Sequence, residues 1–181
     1  MSHVTRAAIP LIAAAALSGA PVVTGTATAS AASVPHAAPH TAPHTAPCPP
    51  RIVADWARAW NGTDPRALGA LFTAGGVYAD LGVGVTFHGR EEISGWKARA
   101  DRLIDGVHVT VRATHRDGGR ITVEAVYAGR LKGAPEAFAV PMTTLLDLDG
   151  HGRIASDQDH YSLAEVLTQS GLPADWTPPA S

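Results

Sequence analysis

The chain has 181 residues, with 14 Lys plus Arg against 16 Asp plus Glu, nine His and a single Cys. That length accommodates one domain of ordinary size, and the near-zero charge leaves no basic footprint for nucleic acid. With Cys48 alone, an intrachain disulfide and a cysteine-based zinc site are both excluded.

Residues 1–31 read as a signal peptide. Arg6 supplies the positive start, Ala7–Ala20 is nearly all apolar, and Ala27-Thr28-Ala29 and Ala29-Ser30-Ala31 fit the small-x-small cleavage rule. The apolar run is interrupted by Pro10, Gly19 and Pro21, so it is too short for a membrane span of about twenty residues. The expectation is export by the general secretory route, leaving no stable membrane span after processing. An uncleaved anchor is the competing reading.

Residues 32–50 form a Pro/His/Ala-rich linker with His36, His40 and His44 repeating every four residues. Frequent Pro removes backbone donors and favours an extended chain. The tract reads as a spacer in preference to a loose metal-binding run.

The folded domain is expected over 51–181, which holds all 16 acids and 13 of the 14 bases. Ile52, Trp56 and Trp60 recur every fourth residue, predicting a helix that Asn61-Gly62 stops. Asn61-Gly62-Thr63 also fits a glycosylation acceptor, but reads here as that helix stop. Asp64-Pro65 starts a second helix, with Leu68, Leu71 and Phe72 inward and an end near Gly75-Gly76. Short extended pieces at 77–81 and 83–88 precede a third helix over 90–104, with Ile93, Trp96 and Leu103 on its apolar side.

From there the period becomes two. Val107, Val109 and Val111 alternate with polar residues, Asp117-Gly118-Gly119 turns the chain, and Ile121, Val123, Ala125 and Tyr127 alternate again. Residues 138–147 make a third long strand in which Pro141 marks an edge or a bulge. Asp149-Gly150-His151-Gly152 is a hairpin turn, 153–161 is the last strand, and Ser162-Leu163-Ala164-Glu165 is a capping box opening a short final helix. Helices followed by a four-strand meander make an α+β domain, in which a long bent antiparallel sheet folds over the N-terminal helices and leaves a conical pocket.

This order resembles the SnoaL-like branch of the nuclear-transport-factor-2-like (NTF2-like) superfamily. The resemblance runs from about Ile52 to Leu172. It is carried by Trp56–Asn61 with Asp64, by Val77-Tyr78-Ala79-Asp80 before Gly89-Arg90-Glu91-Glu92-Ile93, by Asp149-Gly150-His151-Gly152-Arg153-Ile154, by Asp159-His160-Tyr161-Ser162-Leu163, and by Gln169-Ser170-Gly171-Leu172. Ser162 stands where the family often has a second acid. The resemblance implies a pocket in which a carboxylate or His removes a proton beside a carbonyl while a donor steadies the enolate. It also implies pairing of two copies through the outer sheet face.

Asp159 matches the acid on the family's last strand, and Asp80 stands where members often hold an acid near the pocket mouth. A period of two puts Asp157, Asp159 and Tyr161 on one face of that strand and Gln158, His160 and Ser162 on the other. Both faces carry chemical groups, so the base is Asp159 if the odd face is inward and His160 if the even face is. The plainer alternatives are solvated strand charges for the acids and a turn-capping role for Asp80. Trp60, Tyr78, Tyr127, Tyr161 and Met142 are the candidate ligand-contacting residues, Trp60 and Tyr127 foremost.

An epoxide-hydrolase reading fails, because such enzymes need an Arg and an Asp two apart on a middle strand. Val126-Tyr127-Ala128-Gly129 supplies neither. His88, His108, His115, His151 and His160 are too scattered for a metal site, and Gly82-Val83-Gly84 is too short for a phosphate loop, so no cofactor is expected. Two classes of function remain alongside dimerisation: a cofactor-free isomerase or cyclase acting on a small, mostly apolar molecule, and a module that binds such a molecule unchanged.

Overall fold

A computed structural model describes residues 49–177; the signal-peptide reading of 1–31 and the spacer up to Cys48 lie outside the described residues. The element order is α1 (Arg51–Asn61), α2 (Pro65–Gly69), β1 (Phe72–Asp80), β2 (Val85–His88), α3 (Gly89–Leu103), β3 (Ile104–Asp117), β4 (Arg120–Leu131), β5 (Phe138–Leu148), β6 (Ile154–Tyr161) and α4 (Leu163–Gln169). Among the described residues no helix is long and apolar enough to cross a membrane.

The strands form one six-stranded sheet in the order β2-β1-β6-β5-β4-β3. All neighbours are antiparallel except β1 and β6, which run parallel with Tyr78 opposite Asp157 and Asp80 opposite Asp159. The sheet is therefore larger than a four-strand meander, and it is completed by the two strands, β1 and β2, that lie between α2 and α3. Two register shifts in β3, after Asp105 and after Val111, bend the long hairpin. The fold is the α+β arrangement expected, with a curved sheet over the N-terminal helices and a short C-terminal helix.

Burial follows the periods. Val53, Trp56 and Trp60 of α1, Leu68 of α2 and Ile93 of α3 join Ile121, Val123, Met142 and Leu146 of the sheet in one core. A second cluster under α4 holds Phe138, Val140, Val166 and Leu167. Asn61 does more than end α1. Its amide donates to the Val109 carbonyl at 3.0 Å and its oxygen accepts the Val109 N–H at 2.6 Å, as a strand residue would, tying α1 to β3. Lys97 of α3 is fully buried and donates to Asp101 and to the Gly62 carbonyl, closing the same corner.

Helix α2 starts as the sequence indicates. Asp64 accepts the Arg66 N–H at 3.0 Å, with Pro65 in the first helical position. Asp64→Ala should lower stability by about 1 kcal/mol, read by urea unfolding; a cost below a few tenths would mean this cap contributes nothing. The end of α2 differs from expectation. Leu71 and Phe72 continue the helical spacing, yet Phe72 already belongs to β1, and Gly75-Gly76 lie inside that strand. Between Phe72 and Val77 the register against β6 slips, and a Cβ on Gly76 would meet the Phe72 side chain and the Ile154 carbonyl at 3.0–3.1 Å. Gly76 thus marks a register irregularity in a strand, where a side chain would be crowded, while Gly75 faces open space.

Pro141 is explained by the ladder. The β5–β6 pairing begins only at Met142 opposite Tyr161, so Pro141 lies one residue outside it and β5 is locally an edge. The capping box forms by half. Ser162 accepts the Glu165 N–H at 3.1 Å, whereas the Glu165 carboxylate takes a hydrogen bond from Gln169.

Candidate functional site

The site is built on the parallel β1–β6 pair. A register shift between Asp147 and Leu148 puts one extra residue, Ala155, into β6. Ile154 faces the core, and without that bulge the even residues beyond it would face the core as well. The extra residue reverses the alternation, because a one-residue slip moves every later side chain to the other face. Asp157 and Asp159 are consequently buried, and His160 is exposed. The His160 alternative is corrected by this placement: its imidazole lies on the outer face, away from the cavity.

Parallel pairing sets Tyr78 and Asp80 of β1 beside Asp157, Asp159 and Tyr161 of β6 on one inner surface. Two tyrosine–carboxylate bonds cross between the strands in opposite senses. Tyr78 Oη–H donates to Asp159 Oδ2 at 2.7 Å, and Tyr161 Oη–H donates to Asp80 Oδ2 at 3.1 Å. Thr144 of β5 donates to Asp159 Oδ1. The Val83 N–H, in the turn after β1, donates to Asp80 Oδ1 at 2.9 Å. Asp157 accepts from Trp56 Nε1–H of α1 at 2.9 Å, while its Oδ1 has no partner among the described residues.

The three carboxylates are 0–4% exposed, and that burial governs their protonation. Asp159 is pushed up to about 6 by burial, helped by the Asp80 charge and opposed by the Thr144 and Tyr78 hydrogen bonds. Asp157 rises well above the ordinary carboxylate range through burial and the neighbouring Asp159 charge, against the Trp56 hydrogen bond. Asp80 also rises by burial, opposed by its bonds from Val83 and Tyr161. Tyr78, Tyr127 and Tyr161 are all raised, first by burial and then by the nearby acids, so their hydroxyls stay protonated.

These groups form the floor of a cavity of about 160 Å³. Trp60, Tyr78, Trp96, Tyr127, Tyr161 and Met142 are among its walls, while Asp80 and Asp159 open onto it. The ring of Tyr127 stands edge-on to those of Tyr161 and Phe138, with centroids 5.3 and 5.1 Å away. Every candidate residue except His160 therefore meets at one cavity. Asp157, Trp56 and Thr144 complete the cluster from behind. The period of two sets Asp157 on the face of Asp159 and the helical spacing sets Trp56 on the apolar stripe of α1, but neither pattern joins the two. Thr144 was not singled out, and its signal is a polar residue on the otherwise apolar inner row of Phe138, Val140, Met142 and Leu146 in β5.

Among the described residues no group of three or more His, Cys, Asp or Glu is arranged to hold a metal ion. Apart from Asp157 Oδ1, the oxygens of the three acids accept from Tyr, Thr, Trp and backbone donors. Chemically, the arrangement offers a carboxylate whose pKa lies near neutrality, held by two hydroxyls at the base of an apolar cavity. A general base is poised in this way when burial brings its pKa toward the working pH.

A SnoaL-like domain family model matches residues 53–156. A protein of ketosteroid isomerase-like fold from Catenulispora acidiphila, solved in complex with trimethylamine, is 60% identical; the match covers 71% of this chain and 98% of that one with a TM-score of 0.70. An NTF2-like protein from Burkholderia thailandensis shares 20% identity over 67% of this chain and 95% of its own, with a TM-score of 0.58. A LEH-like epoxide hydrolase from M. tuberculosis shares 19% identity over 66% and 86%, with a TM-score of 0.56. At those lower identities the likeness is one of fold. No curated protein matches the chain.

Proposed function

We propose, from the premise that the chain belongs to the SnoaL-like family, that it is an exported domain that binds a small, mostly apolar molecule in this cavity, with Asp159 poised as a general base of the isomerase type. The observation that carries the reading is Asp159 itself: it opens onto the cavity, is held by Tyr78 and Thr144, and has a pKa raised to about 6. Neutral Tyr127 supplies a wall and a hydroxyl to donate to the enolate oxygen formed when Asp159 takes the proton. The size of the cavity limits the ligand. About 160 Å³ is close to the roughly 150 Å³ of an engineered cavity that admits benzene.

The test is deuterium exchange at the α-carbon of small ketones, followed by NMR at neutral pH with the full chain. Asp159→Asn should slow exchange by roughly 10²–10⁴-fold, the usual worth of a positioned base, and His160→Gln should leave it unchanged. Equal exchange in wild type and Asp159→Asn would remove the base from the proposal.

Binding without turnover is the second reading, favoured by two observations. Both Asp159 oxygens already accept a hydrogen bond. The 60% identical relative holds trimethylamine, a molecule with no carbonyl. Saturable binding of a small molecule with no exchange in the wild-type chain would select this reading.

A further inference from the structure

The charges around the cavity do not balance. Asp80 and Asp159 open onto it and Asp157 stands behind them, all but excluded from solvent. The groups that hold these acids are neutral: the Tyr78, Tyr161 and Thr144 hydroxyls, the Trp56 indole and the Val83 amide. Among the described residues lining the cavity there is no Lys, Arg or His. Lys97 of α3 is buried nearby, with Nζ 5.8 Å from the Trp60 ring centre, but its protons go to Asp101 and the Gly62 carbonyl. A tyrosine that donates its proton to a carboxylate offers a ligand its ring face and its remaining lone pairs, so the floor made by Tyr78, Tyr161, Asp80 and Asp159 is one of acceptors. The donors left at the walls, the Tyr127 hydroxyl and the Trp60 and Trp96 indole N–H groups, are neutral. The walls are tilted rings: Tyr127 lies at 60° to Tyr161 and at 66° to Phe138, and Trp60 at 49° to Tyr78. The lining therefore holds four aromatic rings that are not coplanar, alongside the Trp60 and Trp96 indoles.

We infer that this cavity selects a small alkylated ammonium ion, its alkyl groups against the aromatic walls and its positive charge over Asp80 and Asp159. The inference rests on the reading that the cavity binds a small molecule, and it names the class of that molecule. Ring faces and carboxylates both attract such a cation, and the alkyl groups remove the strong hydration that would keep a bare ammonium in water. A neutral molecule of the same shape fills the walls but leaves the acidic floor uncompensated. A carboxylate or phosphate ligand is repelled. The cation is compatible with a base at Asp159, since an ion pair keeps that carboxylate in its ionised form.

Binding must then depend on pH. Asp159 is faced by Tyr78 and Asp80 from β1, by Tyr127 from β4, by Thr144 from β5 and by Asp157 and Tyr161 from its own strand. Asp101 of α3 is paired with Lys97. The tyrosines remain neutral, so the acids are the groups that titrate. A fixed cation favours their ionised forms, and its affinity falls as pH drops through their range.

Two probes of one shape separate charge from fit: (2-hydroxyethyl)trimethylammonium and its neutral carbon analogue, 3,3-dimethylbutan-1-ol. With the full chain in a calorimeter at pH 7.5, the ammonium should bind at least about tenfold more tightly than the alcohol. Below pH 6 its affinity should drop by up to about tenfold per pH unit for each proton linked, while the alcohol's stays flat. Asp80→Asn and Asp159→Asn should each erase most of the preference. A preference below tenfold, or one unchanged in both variants, overturns the cation inference while leaving a small-molecule cavity in place. Binding of neither probe overturns both.

Discussion

The ligand-free protein is expected to melt at a lower temperature at pH 7.5 than at pH 5. Asp159 has a folded-state pKa of about 6 against an ordinary 3.8. A carboxylate with a raised folded pKa binds its proton more tightly in the native state, so its contribution is fully present below about pH 3.8 and is lost as pH rises through about 6. For Asp159 alone the full effect is on the order of 3 kcal/mol, of which roughly 1.4 kcal/mol falls between pH 5 and pH 7.5. Asp157 and Asp80 are shifted in the same direction by the same burial. Asp147 and Asp149 are shifted the other way, but they are exposed and titrate below this window. Asp157→Asn keeps an acceptor for Trp56 and removes a buried titratable group, so it should narrow the gap in melting temperature between the two pH values. Scanning calorimetry at both pH values decides the matter. A melting temperature that is flat or rises from pH 5 to 7.5 would mean that these acids ionise at little cost.

Trp56 should be the most sensitive position in the core. It is fully buried in the cluster with Val53, Phe72 and Ile93, and its indole N–H is the hydrogen bond to Asp157. Trp56→Ala removes a large side chain from a close-packed site, at about 3–5 kcal/mol. Loss of the donor adds about 1–3 kcal/mol, because Asp157 is then left without a partner. Trp56→Phe isolates that second part. In an Asp157→Leu background the cost of Trp56→Phe should shrink, since removing both partners is far milder than removing one. Urea denaturation of the four proteins reads the coupling; the same cost in both backgrounds would mean that the bond contributes nothing.

The ordinary patterns carried most of the architecture. Helical spacing through Trp56 and Trp60, the Asp64-Pro65 start and the alternation of Ile121, Val123 and Ala125 each state which face is buried, because burial of apolar side chains is what the period reports. The same logic fails on β6. There the inner residues are Asp157 and Asp159 and the outer ones Gln158 and His160, so no apolar row marks the inside. Ile154, the nearest apolar guide, points to the wrong phase because Ala155 interrupts the count. What places the acids inward is pairing with β1, a contact across some eighty positions that no local window contains. Phe72 misled for a related reason: an inward Phe continues a helical stripe as readily as it starts a strand.

The crossing of β1 with β6 has a consequence for how the chain can change. Tyr78 with Asp159, and Tyr161 with Asp80, are both 81 positions apart, so everything from α3 through the β3–β5 meander is a single long connection between the two halves of one site. Closing such a connection costs only about 0.6 kcal/mol more for each doubling of its length. The turns at 118–119, 132–137 and 149–153 can therefore gain or lose residues without moving the cavity floor, whose geometry is fixed by strand register. A fragment that stops before residue 154 keeps Tyr78 and Asp80 but loses Asp159 and Tyr161, so half of that floor is gone however well the remainder folds.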